Sequence, residues 1–527
     1  MVIDGNRLPA GEELETDLCI VGSGPAGITI ASELAGRPMR VLLVEAGSFE
    51  YDQQAQERYR AESMIYEPYD MRLSMFGGSS NHWGGVARPL DEIDFEPRPW
   101  IPHSGWPIRR ADLDPYYPRA AELIEIGAIE PDPALWARWV GARLLPLDEE
   151  GSLGHMMFQI SPPTSFGEVY RHALLTQSNL TICLRGVAVG YELHRDQPLL
   201  ERLEFRNWAG GRFTVKAKCF VLACGGIENP RLLLLWQRRD DGGVFRQNDL
   251  VGRFFMEHPH FHLGRVVLEE PSFPARLYLR QLAAPDRRMV NAHIHAHRQA
   301  QERERLPNVA IQLRPRVPSK GERALLRLLD DLRQRRYPDD LGTKIQQVLI
   351  DIGEVSGVAM RKASRSLFGI ELHEGGEFAI RSVGEQLPDP DSRVTLSDHL
   401  QDSFGLAQAK VTWRLSEIER QSMGRFAKML AREFGRQGIG RMQIAFDTDG
   451  DETPDRLQWV GHQIGTTRMA DDPAQGVVDR QCRLHGVANL YLAGSSVFCT
   501  SGAATPTLTI VALAARLADH LKNRVFV

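Results

Sequence analysis

The chain has 527 residues, of which 43% are hydrophobic and 25% are charged. This composition is typical of a globular protein with two or three domains. The formal net charge of −5 excludes the basic surface that nucleic-acid binding requires. No stretch has the roughly 20 apolar residues of a membrane span. Six scattered cysteines without a C-x-x-C pair indicate reduced thiols, so we expect a cytoplasmic protein.

The first informative stretch combines a short apolar strand, predicted at 16–21, with the sequence Gly-Ser-Gly-Pro-Ala-Gly at 22–27. A helical pattern follows, so G-x-G-x-x-G lies between a strand and a helix. In this motif Gly22 makes the turn, Gly24 lets the backbone approach a pyrophosphate, and Gly27 lets the helix pack closely on the strand. The phosphates then lie at the helix N-terminus, which here begins with Pro-Ala.

A second predicted strand, 40–44, ends on Glu45, about twenty residues after the glycines. A carboxylate at this position accepts hydrogen bonds from the ribose of an adenine dinucleotide. Residues 16–47 therefore predict a Rossmann-type dinucleotide site.

Several later segments also bring glycine or small residues to the end of a strand or into a loop. Residues 75–85 place four glycines around Ser-Ser-Asn-His-Trp, and a loop of this kind can press its backbone against a flat ligand. The apolar strand 219–223 leads to Gly225-Gly226, and 490–493 leads to Gly494-Ser495. Near the end of the chain, Pro506 starts a helix, which is an ordinary position for proline.

With residues 461–469 (GHQIGTTRM), these motifs resemble those of the glucose-methanol-choline family of FAD oxidoreductases. The His82-Trp83 pair is most similar to the branch with pyranose 2-oxidase and bacterial sugar oxidases and dehydrogenases. The resemblance implies FAD as the cofactor, bound by Gly22, Gly24, Pro25, Ala26, Gly27, Glu45, Gly77, Gly78, Ser79, Asn81, His82, Trp83, Val189, Ala223, Gly225, Gly494, Ser495, Pro506 and Thr507.

The resemblance leaves the bonding of the cofactor open at His82. In pyranose 2-oxidase the histidine at the matching position is bonded covalently to the flavin 8α-methyl group. The alternative is a histidine that packs over the isoalloxazine without a bond.

The resemblance also implies the catalytic residues. His462 matches the histidine that lies over flavin N5, where it takes the proton of an alcohol. The expected His or Asn partner is replaced by Thr505, which can donate one hydrogen bond but cannot hold a proton, so His462 would be the sole base. Glu385 and Gln386 lie on a predicted strand edge that faces the substrate in relatives, and at most one of them can reach the cavity.

We predict an α/β protein with a discontinuous Rossmann-type FAD domain and an α+β substrate domain built from a sheet and helices. The FAD domain is assigned to 10–95, 170–257 and 456–527, and the substrate domain to 96–169 and 258–455. Residues 318–368 within it predict a basic, amphipathic helical insert. Such an insert serves as a lid with a solvated face, or as a dock for a membrane surface or a partner protein.

Two H-x-H-x-H stretches, at 258–262 and 293–297, place three histidines on one face of each predicted strand. Two such strands side by side can bind a metal, but a polar sheet face needs none, and the family offers no precedent. We expect no metal site.

The predicted activity is oxidation of a primary or secondary alcohol on a sugar-like molecule, such as a glycoside, aminosugar or polyol, with hydride transfer to flavin N5. Oxygen or another acceptor would then take the electrons, and a homo-oligomer is compatible with the sequence. One alternative is a flavin lyase or a redox-silent flavoprotein of the same fold. Another is a dehydrogenase subunit that passes electrons to a protein partner.

Overall fold

The computed structural model describes residues 1–63, 69–148, 151–239, 249–270, 273, 275–315, 324–325, 327–328, 340–350, 377–446 and 460–526. Most of the predicted helical insert, 318–368, lies outside these residues. The parts of it that are described include one helix, Leu341–Ile350. None of the helices in the described ranges is both long enough and apolar enough to cross a membrane.

The strands, numbered in chain order, are β1 (Val2–Asp4), β2 (Glu12–Val21), β3 (Val41–Val44), β4 (Ala61–Ser63), β5 (Val86–Ala87), β6 (Leu153–Ile160), β7 (Leu180–Leu184), β8 (Val187–Leu193), β9 (Leu200–Arg206), β10 (Arg212–Leu222), β11 (His262–Leu268), β12 (Leu282–Ala283), β13 (Met289–Ala296), β14 (Val309–Pro315), β15 (Glu377–Gly384), β16 (Arg393–Gln401), β17 (Ala407–Thr412), β18 (Gly440–Ile444) and β19 (Leu490–Leu492).

The α-helices are α1 (Pro25–Glu33), α2 (Gln53–Glu57), α3 (Glu92–Phe95), α4 (Tyr117–Leu123), α5 (Pro133–Trp139), α6 (Phe166–Val169), α7 (Arg171–Leu175), α8 (Gly225–Arg239), α9 (Arg276–Leu279), α10 (Arg298–Glu304), α11 (Leu341–Ile350), α12 (Glu417–Arg436) and α13 (Thr507–His520).

The first sheet has the order β1-β7-β3-β2-β10-β9-β8, and β19 adds to β10. Strands β1, β7, β3, β2, β10 and β19 pair in parallel, whereas β9 and β8 are antiparallel. The central strands are apolar along their length because helices cover the sheet, with α1 and α13 packed together. This sheet has the parallel core of a Rossmann-type domain, as the sequence predicts.

The second sheet is antiparallel, with the order β18-β11-β15-β14-β13-β6-β5 and with β12 on β13. Its core side packs with α12, whose buried residues repeat at helical spacing. Strand β5 belongs to this sheet although it lies within the predicted FAD segment 10–95. A small third sheet, β16-β17-β4, joins segments from both parts of the chain.

Candidate functional site

A cavity of about 690 Å³ lies between the glycine-rich motifs of the first sheet and one face of the second sheet. It is lined by backbone from the strand ends of the first sheet and by side chains from the second.

The glycines of the first motif fit their positions for different reasons. Gly22 has φ +101°, and a Cβ there would lie 2.6 Å from the Ala223 carbonyl oxygen. A Cβ on Gly27 would lie 1.9 Å from the Gly22 oxygen, so helix α1 and the turn could not pack as they do. A Cβ on Gly24 would meet no atom within 4 Å, because it would project into open space where Gly24 lines the cavity.

Glu45 lines the cavity beside this turn and is only 5% exposed. Its carboxylate accepts hydrogen bonds from the amide and hydroxyl of Ser23, at 3.0 and 2.6 Å, and from the Gly47 amide at 2.9 Å. These three donors fix the carboxylate at the carboxyl edge of the sheet.

The glycine loop is built partly by residues that do not touch the cavity. Asn81 donates to the carbonyls of Phe76 and Gly78, both at 3.0 Å, and a Cβ on Gly77 would lie 2.5 Å from the Gly167 amide nitrogen. Gly77 and Asn81, both predicted to bind the cofactor, therefore brace the loop from behind.

The other predicted residues of this loop, Gly78, Ser79, His82 and Trp83, line the cavity. The indole of Trp83 is held by its bond to the Thr164 carbonyl at 3.0 Å. Burial lowers the pKa of His82, against an opposing hydrogen bond with the backbone of Met71. A lowered pKa favours the neutral imidazole, which has a free nitrogen lone pair at neutral pH.

The prediction for Val189 requires a correction, because the cavity wall there is formed by 186–188. The ladder between β8 and β9 shifts register between Ala188 and Gly190, at Val189 itself. Backbone contact with the cavity therefore ends before Val189.

The chain fits FAD along this wall. The further predicted residues Pro25, Ala26, Ala223, Gly225, Gly494, Ser495, Pro506 and Thr507 all line the cavity. At Gly84 and Gly225, as at Gly24, a Cβ would meet open space. The small residues thus keep a continuous channel clear, from the N-terminus of α1 to the start of α13.

At the other end of the cavity His462 and His258 meet, with their Nδ1 atoms 2.8 Å apart. Nε2 of His258 lies 3.2 and 2.9 Å from the carbonyl oxygens of Ser501 and Gly502. A carbonyl only accepts, so this Nε2 must carry a proton, and in neutral His258 the Nδ1 atom is then the acceptor. His462 therefore donates from Nδ1, which leaves its Nε2 unprotonated.

Both histidines are held in the neutral state. Burial, followed by the charges of His258 and His260, holds the pKa of His462 well below its ordinary value, and burial also lowers the pKa of His258. Glu257 accepts the backbone amides of His258 and His462, at 3.2 and 3.0 Å, and so ties the two segments together. The arrangement presents a neutral imidazole suited to take a proton.

Thr505 lines the cavity, but its hydroxyl donates to the Val86 carbonyl at 2.5 Å. The expectation that it donates to a substrate oxygen is therefore wrong, because a hydroxyl has one proton to donate. His258, which the sequence analysis considered only as a metal ligand, supplies the partner of His462 instead.

Glu385 and Gln386 do not line the cavity, contrary to the substrate role predicted for one of them. Glu385 forms a buried bidentate pair with Arg98, at 2.6 and 2.5 Å. Gln386 accepts from the Glu257 amide and the Trp413 indole, at 2.7 and 2.9 Å. Both side chains are therefore engaged by neighbouring residues and are not available to a ligand in the cavity.

This end is lined by His260, which precedes β11, and by four polar residues of the second sheet: His293, Gln312, Arg314 and Arg381. The sequence analysis assigned none of the five to the substrate. The only sequence signal was alternation, since Gln312 and Arg314 are two residues apart on β14 and share a face. The two histidine trios are not arranged as two complete strand faces. Strand β11 begins only at His262, and no group of three potential ligands occurs among the described residues.

Comparisons with known proteins show which enzymes this chain is similar to. Residues 388–514 match the family model described as GMC oxidoreductase. The chain is 23% identical to 2-methyl-1,2-propanediol dehydrogenase of Mycolicibacterium austroafricanum, covering 97% of this chain and 96% of that protein. It is 24% identical to 6'''-hydroxyparomomycin C oxidase of Streptomyces lividus, covering 96% and 92%.

Among solved structures, pyridoxine 4-oxidase from Mesorbium loti matches with a TM-score of 0.55 at 17% identity, covering 96% of this chain and 99% of that one. The fold and the site define an FAD-dependent oxidoreductase. More particularly, the chain is similar to the GMC oxidoreductases, the family that its motifs resemble.

Proposed function

We propose that the protein oxidises an alcohol group of a sugar-like or polyol molecule, with His462 as the base. The single observation that carries this proposal is the hydrogen-bond chain from the Ser501 and Gly502 carbonyls through His258 to His462. These hydrogen bonds leave Nε2 of His462 unprotonated in a cavity that fits FAD. The names of the relatives, a diol dehydrogenase and a hydroxyparomomycin oxidase, favour this substrate class.

The residues of the site supply the proton chemistry. FAD, when bound, supplies the acceptor for the hydride that leaves the alcohol carbon. Nε2 of His462 accepts the hydroxyl proton, while Nδ1 keeps its bond to His258 and fixes the plane of the ring. Thr505 does not share this work, because its proton is bonded to Val86.

The experiment is anaerobic mixing of the purified yellow protein with a panel of sugars, polyols, aminosugars and aliphatic alcohols. Bleaching of the flavin absorbance is expected with at least one sugar-like member. Air then separates two cases: rapid return of the colour indicates an oxidase, and persistence indicates a dehydrogenase with another acceptor. If no alcohol bleaches the flavin, the proposal is rejected in favour of a lyase or a redox-silent flavoprotein.

We also propose that His82 is the attachment point of a covalently bound FAD. Its position on the cavity wall and its neutral imidazole support this proposal. Acid precipitation should leave the yellow colour in the pellet, and His82→Ala should move it to the supernatant. A yellow supernatant from the parent protein rejects the covalent bond alone.

A further inference from the structure

His260 is a polar side chain of the cavity wall that the proposed mechanism does not use. It lines the cavity and is only 7% exposed. Its Nδ1 atom is buried and has no hydrogen-bond partner in the part of the chain that the structure describes. Its Nε2 atom has no partner among those residues either, but it is not enclosed as Nδ1 is. Nε2 is therefore the ring nitrogen that is left to face a ligand in the cavity.

His260 lies beside the catalytic pair. It follows His258 by two residues, and both side chains line the cavity. Pro259 restricts the residue before it to extended conformations, and two residues of an extended chain span about 6 to 7 Å. His260 is also close enough to His462 that its charge would lower the pKa of that ring. An alcohol whose hydroxyl meets Nε2 of His462 therefore has its neighbouring carbons near His260.

The His260 ring is neutral. Burial, followed by the charges of Arg381, His258 and Arg314, lowers the pKa of His260 to about 3. A neutral imidazole carries one proton, so one of its nitrogens donates and the other accepts. Buried N–H groups without a partner are rarer than buried acceptors without one. The buried position of Nδ1 thus favours the proton on Nε2, where a ligand can accept it.

A neutral N–H donor selects among the groups that a sugar-like molecule can carry. An ammonium group only donates hydrogen bonds, so it has nothing to offer this nitrogen. A carboxylate accepts, but its burial is costly unless its charge is paired, and the His260 ring supplies no charge. A hydroxyl is neutral and both accepts and donates, so it matches the ring nitrogen in either tautomer.

We propose that His260 binds a second hydroxyl of the substrate, close to the hydroxyl that is oxidised, through a hydrogen bond from its Nε2 atom. This inference rests on the proposed function for the reacting hydroxyl, and it deepens that function by making the substrate an alcohol with at least two hydroxyls. His462 acts on the reacting hydroxyl, and His260 distinguishes a polyol from a simple alcohol with the same skeleton.

Binding is measured first, without turnover, in FAD-loaded His462→Ala protein by titrating the flavin absorbance. Two pairs of ligands compare a polyol with a mono-alcohol of the same skeleton: glycerol against 1-propanol, and D-glucose against tetrahydropyran-2-methanol. In at least one pair we expect the polyol to bind about 2- to 10-fold more tightly than the mono-alcohol, the range for one hydrogen bond between neutral groups.

The same titrations are repeated with His260→Phe and His260→Gln added separately to the His462→Ala background. Phenylalanine keeps a ring without a polar atom, so His260→Phe should abolish the preference for the polyol. Glutamine has an amide that donates and accepts, so His260→Gln should keep most of it. His295→Phe is the matched control, because His295 also has a buried Nδ1 without a partner among the described residues, but lies on β13 and does not line the cavity.

The inference is overturned if neither polyol is preferred, if no ligand perturbs the flavin, or if the preference survives in His260→Phe. Loss of the preference in His260→Gln to the same extent as in His260→Phe, or its loss in His295→Phe, also counts against it. Failure of the proposed function has a different signature: a polyol binds with a preference that depends on His260, but no alcohol bleaches the flavin of the parent protein.

Discussion

The two ends of the cavity recognise their ligands by opposite means. The cofactor end is a channel of backbone and small residues, in which Gly24, Gly84 and Gly225 leave the space where a Cβ would project. The other end, where His462 lies, is lined by polar side chains such as His293 and Gln312 from an antiparallel sheet. The shape of the cofactor end thus depends on where side chains are missing, and that of the other end on which side chains the sheet brings together.

The largest effect on the rate of flavin reduction is expected at His462, which lies at the end of the cavity opposite the glycine-rich motifs. His462→Ala should slow anaerobic flavin reduction by about 10²- to 10⁴-fold, the usual contribution of a general base, with FAD still bound. Stopped-flow absorbance measures the rate, and His399→Ala, a change at an exposed strand position, is the control. An unchanged rate in His462→Ala would rule out the mechanism.

A smaller effect is expected at His258, which positions the base. His258→Leu removes the acceptor for Nδ1 of His462 and should slow flavin reduction by about 10- to 100-fold, part of the worth of a general base. His258→Asn should recover most of the rate, because an amide can accept from His462 and donate to the Gly502 carbonyl. Equal rates in the Leu and Asn variants would contradict the tautomer argument.

At the cofactor end, Glu45→Ala should weaken FAD binding by about 1 to 3 kcal/mol, the loss of a charge-assisted hydrogen-bond pair. The free energy of unfolding should also fall, because three donors from Ser23 and Gly47 lose their acceptor. Glu45→Gln keeps an acceptor and is the matched control. FAD affinity is measured by equilibrium dialysis if the flavin is not covalent, and otherwise by flavin incorporation during refolding. If Glu45→Ala binds FAD as well as the parent protein does, then Glu45 does not hold the ribose of the cofactor.

The smallest effect is expected at Thr505, which lines the cavity without acting on the substrate. Thr505→Val should cost about 0.5 to 1.5 kcal/mol of unfolding free energy, the worth of the lost bond to Val86. Flavin reduction should stay within about threefold of the parent, because a threefold rate change corresponds to less than 1 kcal/mol. A hundredfold slower flavin reduction in Thr505→Val, with an unchanged free energy of unfolding, would show that Thr505 does act on the substrate.

The sequence by itself determined the class of fold and the cofactor end. The strand, the G-x-G-x-x-G turn and Glu45 are close together in the chain, and each glycine follows from a local backbone requirement. Many of the residues predicted to bind the cofactor, including His82 and Ser495, line one cavity. Gly77 and Asn81 were placed in the right loop, although they brace it from behind.

Only the tertiary structure decided the substrate end. Gln312 and Arg381 meet across 69 positions of sequence, and His258 and His462 across 204. A polar residue on a strand gives no sign of which neighbour its register will bring opposite, or which face will line a cavity. One of Glu385 and Gln386 was therefore predicted to reach the substrate although both bond to neighbouring residues, whereas the contact between His258 and His462 was not predicted.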